Sequence, residues 1–317
     1  MSTEIYYFSG TGNSLVVARD IAEKINGKII PIVSVLDQEI INTNADVIGF
    51  VFPIHDYKPF HLIEQFIKKI ANLNSKYIFA VCTYGVIPLG AMKIFEQNIK
   101  ACGGELSSGY VVKMPHNGLG ISCSNEEQNK RFKRWKIKLE IISENINSRK
   151  QEKPEVMNIP VHYILSGLFF STMLPTLNIL WQGIIKGWNS LSFRSNNKCN
   201  GCGICMKICP VNNIEMVDNK PKWFEHCVLC FACLQWCPKE AINAGSITEG
   251  MPRYHHPDVN ISDIMKQSQL PRTGKCGASA SHAPIHIAIG LPNCQVLLLC
   301  SKVITTFPFL CPLSTYL

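Results

Sequence analysis

Long runs of one charge are missing from this 317-residue chain. Lys and Arg outnumber Asp and Glu to give a formal charge of +8, but the excess is shared between the two halves. No basic stripe therefore marks a nucleic-acid groove, and the balance favours acidic protein faces or an anionic surface as partners. No basic-then-apolar segment opens the sequence, so a cytoplasmic protein is expected. Charge is also absent from Val156 to Ile185. Pro160 and Pro175 interrupt that run, and its core, Val161–Leu174, falls short of the roughly 20 residues of a spanning helix. An apolar helical hairpin, packed between domains or lying on a membrane surface, is expected instead of a span. Beyond Arg272 there is no acidic residue at all, and that tail matches neither of the two domains read below.

What is present is ample apolar material, 46% of residues, enough for two domains with real cores. Up to about Ser148 apolar strands alternate with helix-length segments, the pattern of a parallel sheet covered on both faces. Strands are expected at Glu4–Phe8, Lys28–Ile32, Asp46–Phe52, Lys76–Thr83 and Gly109–Lys113. Helices are expected at Ser14–Lys24, Pro59–Ala71, Leu89–Ala101 and Asn125–Asn147, with a short or irregular link between the second and third strands. The expected division is a first domain over 1–150, a linker with the apolar segment over 151–195, a cysteine-rich domain with a trailing arm over 196–268, and a tail over 269–317.

Eight of the fifteen cysteines crowd into one block. Cys199-x2-Cys202-x2-Cys205-x3-Cys209-Pro210 recurs as Cys227-x2-Cys230-x2-Cys233-x3-Cys237-Pro238. Three closely spaced thiolates can hold three corners of an iron–sulfur cube while the fourth, followed by proline, reaches the neighbouring cube. This predicts one [4Fe–4S] cluster on Cys199, Cys202, Cys205 and Cys237, and a second on Cys209, Cys227, Cys230 and Cys233. Zinc uses four thiolates in paired Cys-x2-Cys units and has no need of the third and fourth cysteines twice over. The Cys-x3-Cys-x2-Cys arrangement of radical enzymes is also missing, because Asn212 stands where a third cysteine would have to follow Cys205 and Cys209. The block resembles bacterial-type ferredoxins carrying two [4Fe–4S] clusters. Cys82, Cys102, Cys123, Cys276, Cys294, Cys300 and Cys311 read as free thiols.

Between the first strand and the first helix stands Ser9-Gly10-Thr11-Gly12-Asn13-Ser14. Unpaired amides at the positive end of a helix suit a phosphate, and Ser9, Thr11 and Ser14 can add hydroxyl donors. A dinucleotide fingerprint would need glycine where Leu15 stands, and a P-loop would need a lysine that is absent. This loop, with five strands around it, resembles the flavodoxin family, and the resemblance implies FMN held by Ser9, Gly10, Thr11, Gly12, Asn13 and Ser14. In the flavodoxin strand order the ring lies near the carboxyl ends of the first and third strands. Tyr57 and Tyr84 are then the candidates to cover it, while His55 and His116 are expected to be ordinary surface histidines.

The combination resembles flavodoxin-domain ferredoxins of anaerobes, and the Thr83-Tyr84-Gly85, Val111–Pro115 and Arg253–Pro257 stretches look like members of that family. The resemblance spans about Glu4 to Gln267. It implies an α/β protein with a flavodoxin-like, doubly wound, five-stranded parallel sheet and a small α+β dicluster ferredoxin domain. It implies electron transfer between FMN and two [4Fe–4S] clusters, with low-potential electrons shuttled between partner oxidoreductases in anaerobic metabolism. The alternative is a terminal reductase whose flavin acts on a small substrate, with His55, Asp56 or His116 as acid–base groups. No catalytic constellation is evident, and no DNA-binding or output segment suggests a redox sensor.

Overall fold

A computed structural model describes residues 2–55, 58–116, 123–156 and 192–268. All belong to one packed unit, Met1–Ala278. Tyr57, most of the uncharged stretch and the tail lie outside the described residues. Among the described residues no helix is long and apolar enough to cross a membrane.

The N-terminal half contains β1 (Thr3–Tyr7), α1 (Asn13–Ile25), β2 (Lys28–Pro31), β3 (Val47–His55), β4 (Lys58–Pro59), α2 (His61–Ile67), β5 (Tyr77–Tyr84), α3 (Ala91–Ala101), β6 (Leu106–Lys113) and α4 (Asn125–Asn147). The order β2-β1-β3-β5-β6 is parallel throughout, the flavodoxin-like arrangement in which the chain reverses its direction of build between β1 and β3. Two details depart from expectation. The short β4 adds an antiparallel step to the end of β3, pairing His55 with Lys58. That hairpin takes up the start of the helix expected from Pro59, so α2 begins only at His61 and ends at Ile67.

The central strands β3 and β5 are buried along most of their length, as their unbroken apolar sequences demand of a sheet covered on two faces. Gly49 in β3 is required by close packing, since a Cβ there would lie 2.2 Å from the ring of Phe79. On one face α1 and α4 bury Leu15, Val17, Ile21, Trp135, Leu139 and Ile142. Ser124 caps α4 by accepting from the Glu127 amide, and the Trp135 indole donates to Asp20 Oδ2 of α1 at 2.6 Å. On the other face α2 and α3 bury Ile63, Phe66, Phe95 and Ile99.

The cysteine block is built on two antiparallel ribbons. One pairs β7 (Phe193–Ser195) with β10 (Ile242–Ala244), and the other pairs β8 (Ile214–Val217) with β9 (Lys220–Trp223). Two one-turn helices, α5 (Ile204–Lys207) and α6 (Ala232–Gln235), carry the third cysteine of each repeat. The arm after β10 ends in α7 (Ile261–Ser268). This half shares a core with the first: Ile208, Ala232, Trp236, Val259 and Ile264 are buried in the same cluster as α1 and α4.

Candidate functional site

The repeats match in backbone as well as in cysteine spacing. Gly201 and Leu229, Gly203 and Phe231, and Asn212 and Glu240 are equivalent pairs, and all six residues have positive φ, between 46° and 73°. These left-handed turns bring the cysteines into two recesses. One, of about 320 Å3 including its open mouth, is lined by Cys199, Cys202, Cys205 and Cys237. The other, of about 300 Å3, is lined by Cys209, Cys227, Cys230 and Cys233. Each recess thus draws three cysteines from one repeat and the fourth from the other.

Each recess offers sulfur around a cavity rather than ligands at a point. Among the described residues no three His, Cys, Asp or Glu side chains converge closely enough to hold a single metal ion. A tetrahedral zinc needs such convergence, with Zn–S near 2.3 Å, whereas a cube needs room between its thiolates. The second recess has further features that suit a cluster. Buried Asn213 Nδ2 finds no hydrogen-bond partner, the Trp223 indole is directed at the Cys233 sulfur, and both residues line that recess. Cluster sulfides are acceptors such donors could reach. The amides of Asn213, Leu229 and Ala241 already donate to Cys209, Cys227 and Cys237 sulfurs at 3.2, 3.4 and 3.3 Å.

Burial pushes the Cys205 thiol up to about 11 and raises those of Cys209, Cys227, Cys230 and Cys233. These thiols are protonated at neutral pH in the empty protein, so loading a cluster expels protons.

The loop expected to bind phosphate lies against this block. Gly12, at φ 97°, turns the chain into α1, has no side chain to cap that helix, and is followed by no acidic residue in the first turn. A left-handed residue leading into a buried helix start makes a nest of amides suited to an anion. The carbonyl side of the loop is occupied by the cysteine-rich half. Ser9, Gly10 and Thr11 carbonyls accept from Gln267 Nε2 at 2.8 Å, Trp236 Nε1 at 3.0 Å and the His256 amide at 2.9 Å. Gln267 Oε1 also accepts from the Ser9 amide at 2.9 Å. Gly10 must be glycine here, because a Cβ would stand 2.5 Å from the Cys230 carbonyl oxygen.

The side chains of the loop are partly committed. Ser9 Oγ accepts from the Gly12 amide, Ser14 Oγ bonds Thr83 Oγ1 at 2.8 Å, and Asn13 bridges the Pro115 carbonyl and the Tyr254 hydroxyl. Thr11 is 1% exposed. The donor set fits a phosphate, and the cover over the loop means that one would be shielded from bulk water.

Tyr84 closes β5 and is half-buried, its carbonyl accepting from the Met114 amide. Arg131 Nη1 ties the following loops together by donating to the Gly85 and Met114 carbonyls at 3.1 and 2.7 Å. His55 and His116 are half-buried rather than free on the surface. The His55 ring is 5.1 Å from that of Phe60, and His116 lies where a Cβ on Gly85 would clash at 2.4 Å. Sequence reasoning missed Arg131, Asn213, Trp236 and Gln267 as site residues. The Arg253–Pro257 stretch was a visible signal for the arm, but nothing local marks Gln267 as the partner of Ser9.

Residues 198–242 match the family model of a 4Fe-4S dicluster domain. Similar solved structures include the flavodoxin of Streptococcus pneumonia TIGR4, at 18% identity over 45% of this chain and 99% of that one, TM-score 0.30. A flavodoxin from the domain Archaea is 17% identical over 45% and 99%, TM-score 0.32. Two-electron reduced Megasphaera elsdenii flavodoxin is 22% identical over 37% and 90%, TM-score 0.29. Likeness at this level bears no weight of its own, and the assignment of the first half rests on strand order. The comparison with curated proteins found no match. The chain thus joins a flavodoxin-like α/β half to a 4Fe–4S dicluster domain.

Proposed function

We propose that this protein is an electron-transfer iron–sulfur flavoprotein that exchanges electrons with separate redox proteins. Cys199, Cys202, Cys205 and Cys237 hold one [4Fe–4S] cluster, and Cys209, Cys227, Cys230 and Cys233 hold the other. The Ser9–Ser14 loop takes the phosphate of FMN, with Tyr84 beside the ring and Arg131 fixing the loops that border it. A flavin supplies one- or two-electron chemistry and a cubane cluster one-electron chemistry. The observation that supports this reading is the close packing of Gly10 on the Cys230 carbonyl, which brings a cysteine of the second recess beside the Ser9–Ser14 loop.

The chain's own residues exclude water from that junction. Trp236, Gln267 and the His256 backbone seal the outer side of the loop, and Tyr254 holds Asn13 in place. The net charge of +8 favours partners with acidic faces, so exchange rates should fall as salt rises. The deciding experiment is iron, acid-labile sulfide and flavin content of anaerobically purified protein. About eight iron atoms and about one FMN per chain are expected from two four-iron clusters and one phosphate site. Iron without flavin would remove the flavoprotein part of the reading, and zinc in place of iron would remove the whole.

A further inference from the structure

The two recesses differ in what surrounds them. The recess lined by Cys199, Cys202, Cys205 and Cys237 has a solvent-exposed rim. Cys202 is exposed, Asn200 and Lys239 at its rim are exposed, and a Cβ on Gly203 would meet nothing within 4 Å. None of the four cysteines of the other recess is exposed. Val211, Val228 and Cys230 on that side pack against the α2 and α3 face of the sheet core. Phe231, which also lines it, has its ring 6.4 Å from His55 at the carboxyl end of β3.

The backbone at Phe231 sharpens this difference. Phe231 and Gly203 are equivalent and adopt nearly the same left-handed conformation, φ 58° ψ 7° and φ 70° ψ 5°. A side chain in that conformation costs roughly 1–2 kcal/mol that glycine avoids. The first repeat shows that glycine serves the turn. The second repeat instead carries a phenylalanine that is 8% exposed, lodged between His55 and Phe193. Strain retained at such a position points to what the side chain touches.

We infer that the recess containing Cys230 is the inward site, held against the flavodoxin-like half by Phe231. The recess containing Cys202 is the outward site, the one nearer to an external one-electron redox protein. This rests on the function proposed above. An electron gained at the outward face is one lost by that protein, and the inward site is the one coupled to the Ser9–Ser14 loop. Phe231 acts as a positioning residue.

The test uses the full-length, cluster-loaded protein. Iron release to a water-soluble chelator is followed for wild type, Phe231→Gly, Phe231→Tyr and Asn200→Phe, with flavin content and intramolecular flavin–cluster exchange after flash photolysis measured alongside. Two phases of equal amplitude are expected. Asn200→Phe, which adds bulk at the outer rim without strained backbone, should slow only the fast phase several-fold. Phe231→Gly should accelerate only the slow phase and slow intramolecular exchange several-fold, and Phe231→Tyr should restore both. A single release phase, or a fast phase that responds to Phe231→Gly, would overturn the assignment. Iron-loaded protein without flavin would sink the proposed function, yet the release phases would still decide which recess faces outward.

Discussion

The two cysteine repeats have one backbone and two characters. In the first, glycine occupies two left-handed positions, Gly201 and Gly203, and the recess beside them meets solvent. In the second, Leu229 and Phe231 hold those conformations despite their side chains, and the recess meets the flavodoxin-like half. A duplicated scaffold has thus been kept where cysteine geometry requires it and altered where the neighbouring half touches it. Asn213 and Ala241 show the same divergence, since both amides donate to a cysteine sulfur but only Asn213 adds a buried side-chain donor.

The largest effect should come from removing a crossing cysteine. Cys209 and Cys237 each lie in one repeat and line the recess of the other, so Cys209→Ala or Cys237→Ala should cost at least half the bound iron and loosen both repeats. Iron and sulfide analysis with limited proteolysis would check this, and loss confined to one intact repeat would refute the crossed grouping.

Contacts unique to the inward side come next. Gly10→Val should destabilise the chain by about 1–3 kcal/mol, because its side chain has no room beside the Cys230 carbonyl. Gln267→Ala strands the Ser9 amide and carbonyl and should cost about 2 kcal/mol. Denaturant unfolding measures both, and Gln267→Ala should also speed FMN uptake by the apoprotein, since it uncovers the loop. Unchanged unfolding midpoints would mean that the two halves do not meet there.

A smaller change is expected from Asn213→Ala. Donors near the sulfides favour the more negative reduced cluster, so their loss should lower one of the two cluster potentials and leave the other in place. Redox titration followed by electron paramagnetic resonance reads the two separately, and equal shifts in both would erase the contrast between Asn213 and Ala241.

The smallest effect concerns pH. Burial holds the His256 imidazole below its ordinary value of 6.5, against the opposing pull of Asp258 and Asp20. The unfolded chain then takes up a proton near pH 6.5 that the folded chain accepts only at lower pH. This group's contribution to stability is present above about pH 6.5 and is lost as pH falls through the lowered folded value. Unfolding midpoints at about pH 7.5 and about pH 5.5, for wild type and His256→Asn, should show a dependence that the variant reduces.

Much of this was legible along the chain. α4 runs from Asn125 to Asn147 as its apolar spacing predicts, and the strand order is the one that the resemblance to flavodoxins implies. Boundaries failed where a tertiary feature intervened, as at Pro59, which the β4 hairpin draws out of α2. The loop hydroxyls were legible as donors, but their commitments were not: Ser14 meets Thr83 and Asn13 meets Tyr254 only because the sheet and the arm converge.

By itself the sequence determined the chemistry available at each point: eight cysteines whose short spacings limit the shapes they can make, and a glycine- and hydroxyl-rich turn between a strand and a helix. These are local properties, set by covalent reach and backbone preference. Only the tertiary structure decided which recess faces inward, why Phe231 stands where glycine would be easier, and that Gln267 closes over Ser9. Those outcomes depend on pairs separated by tens to hundreds of residues, for which neither partner carries a local signal until packing brings the other against it.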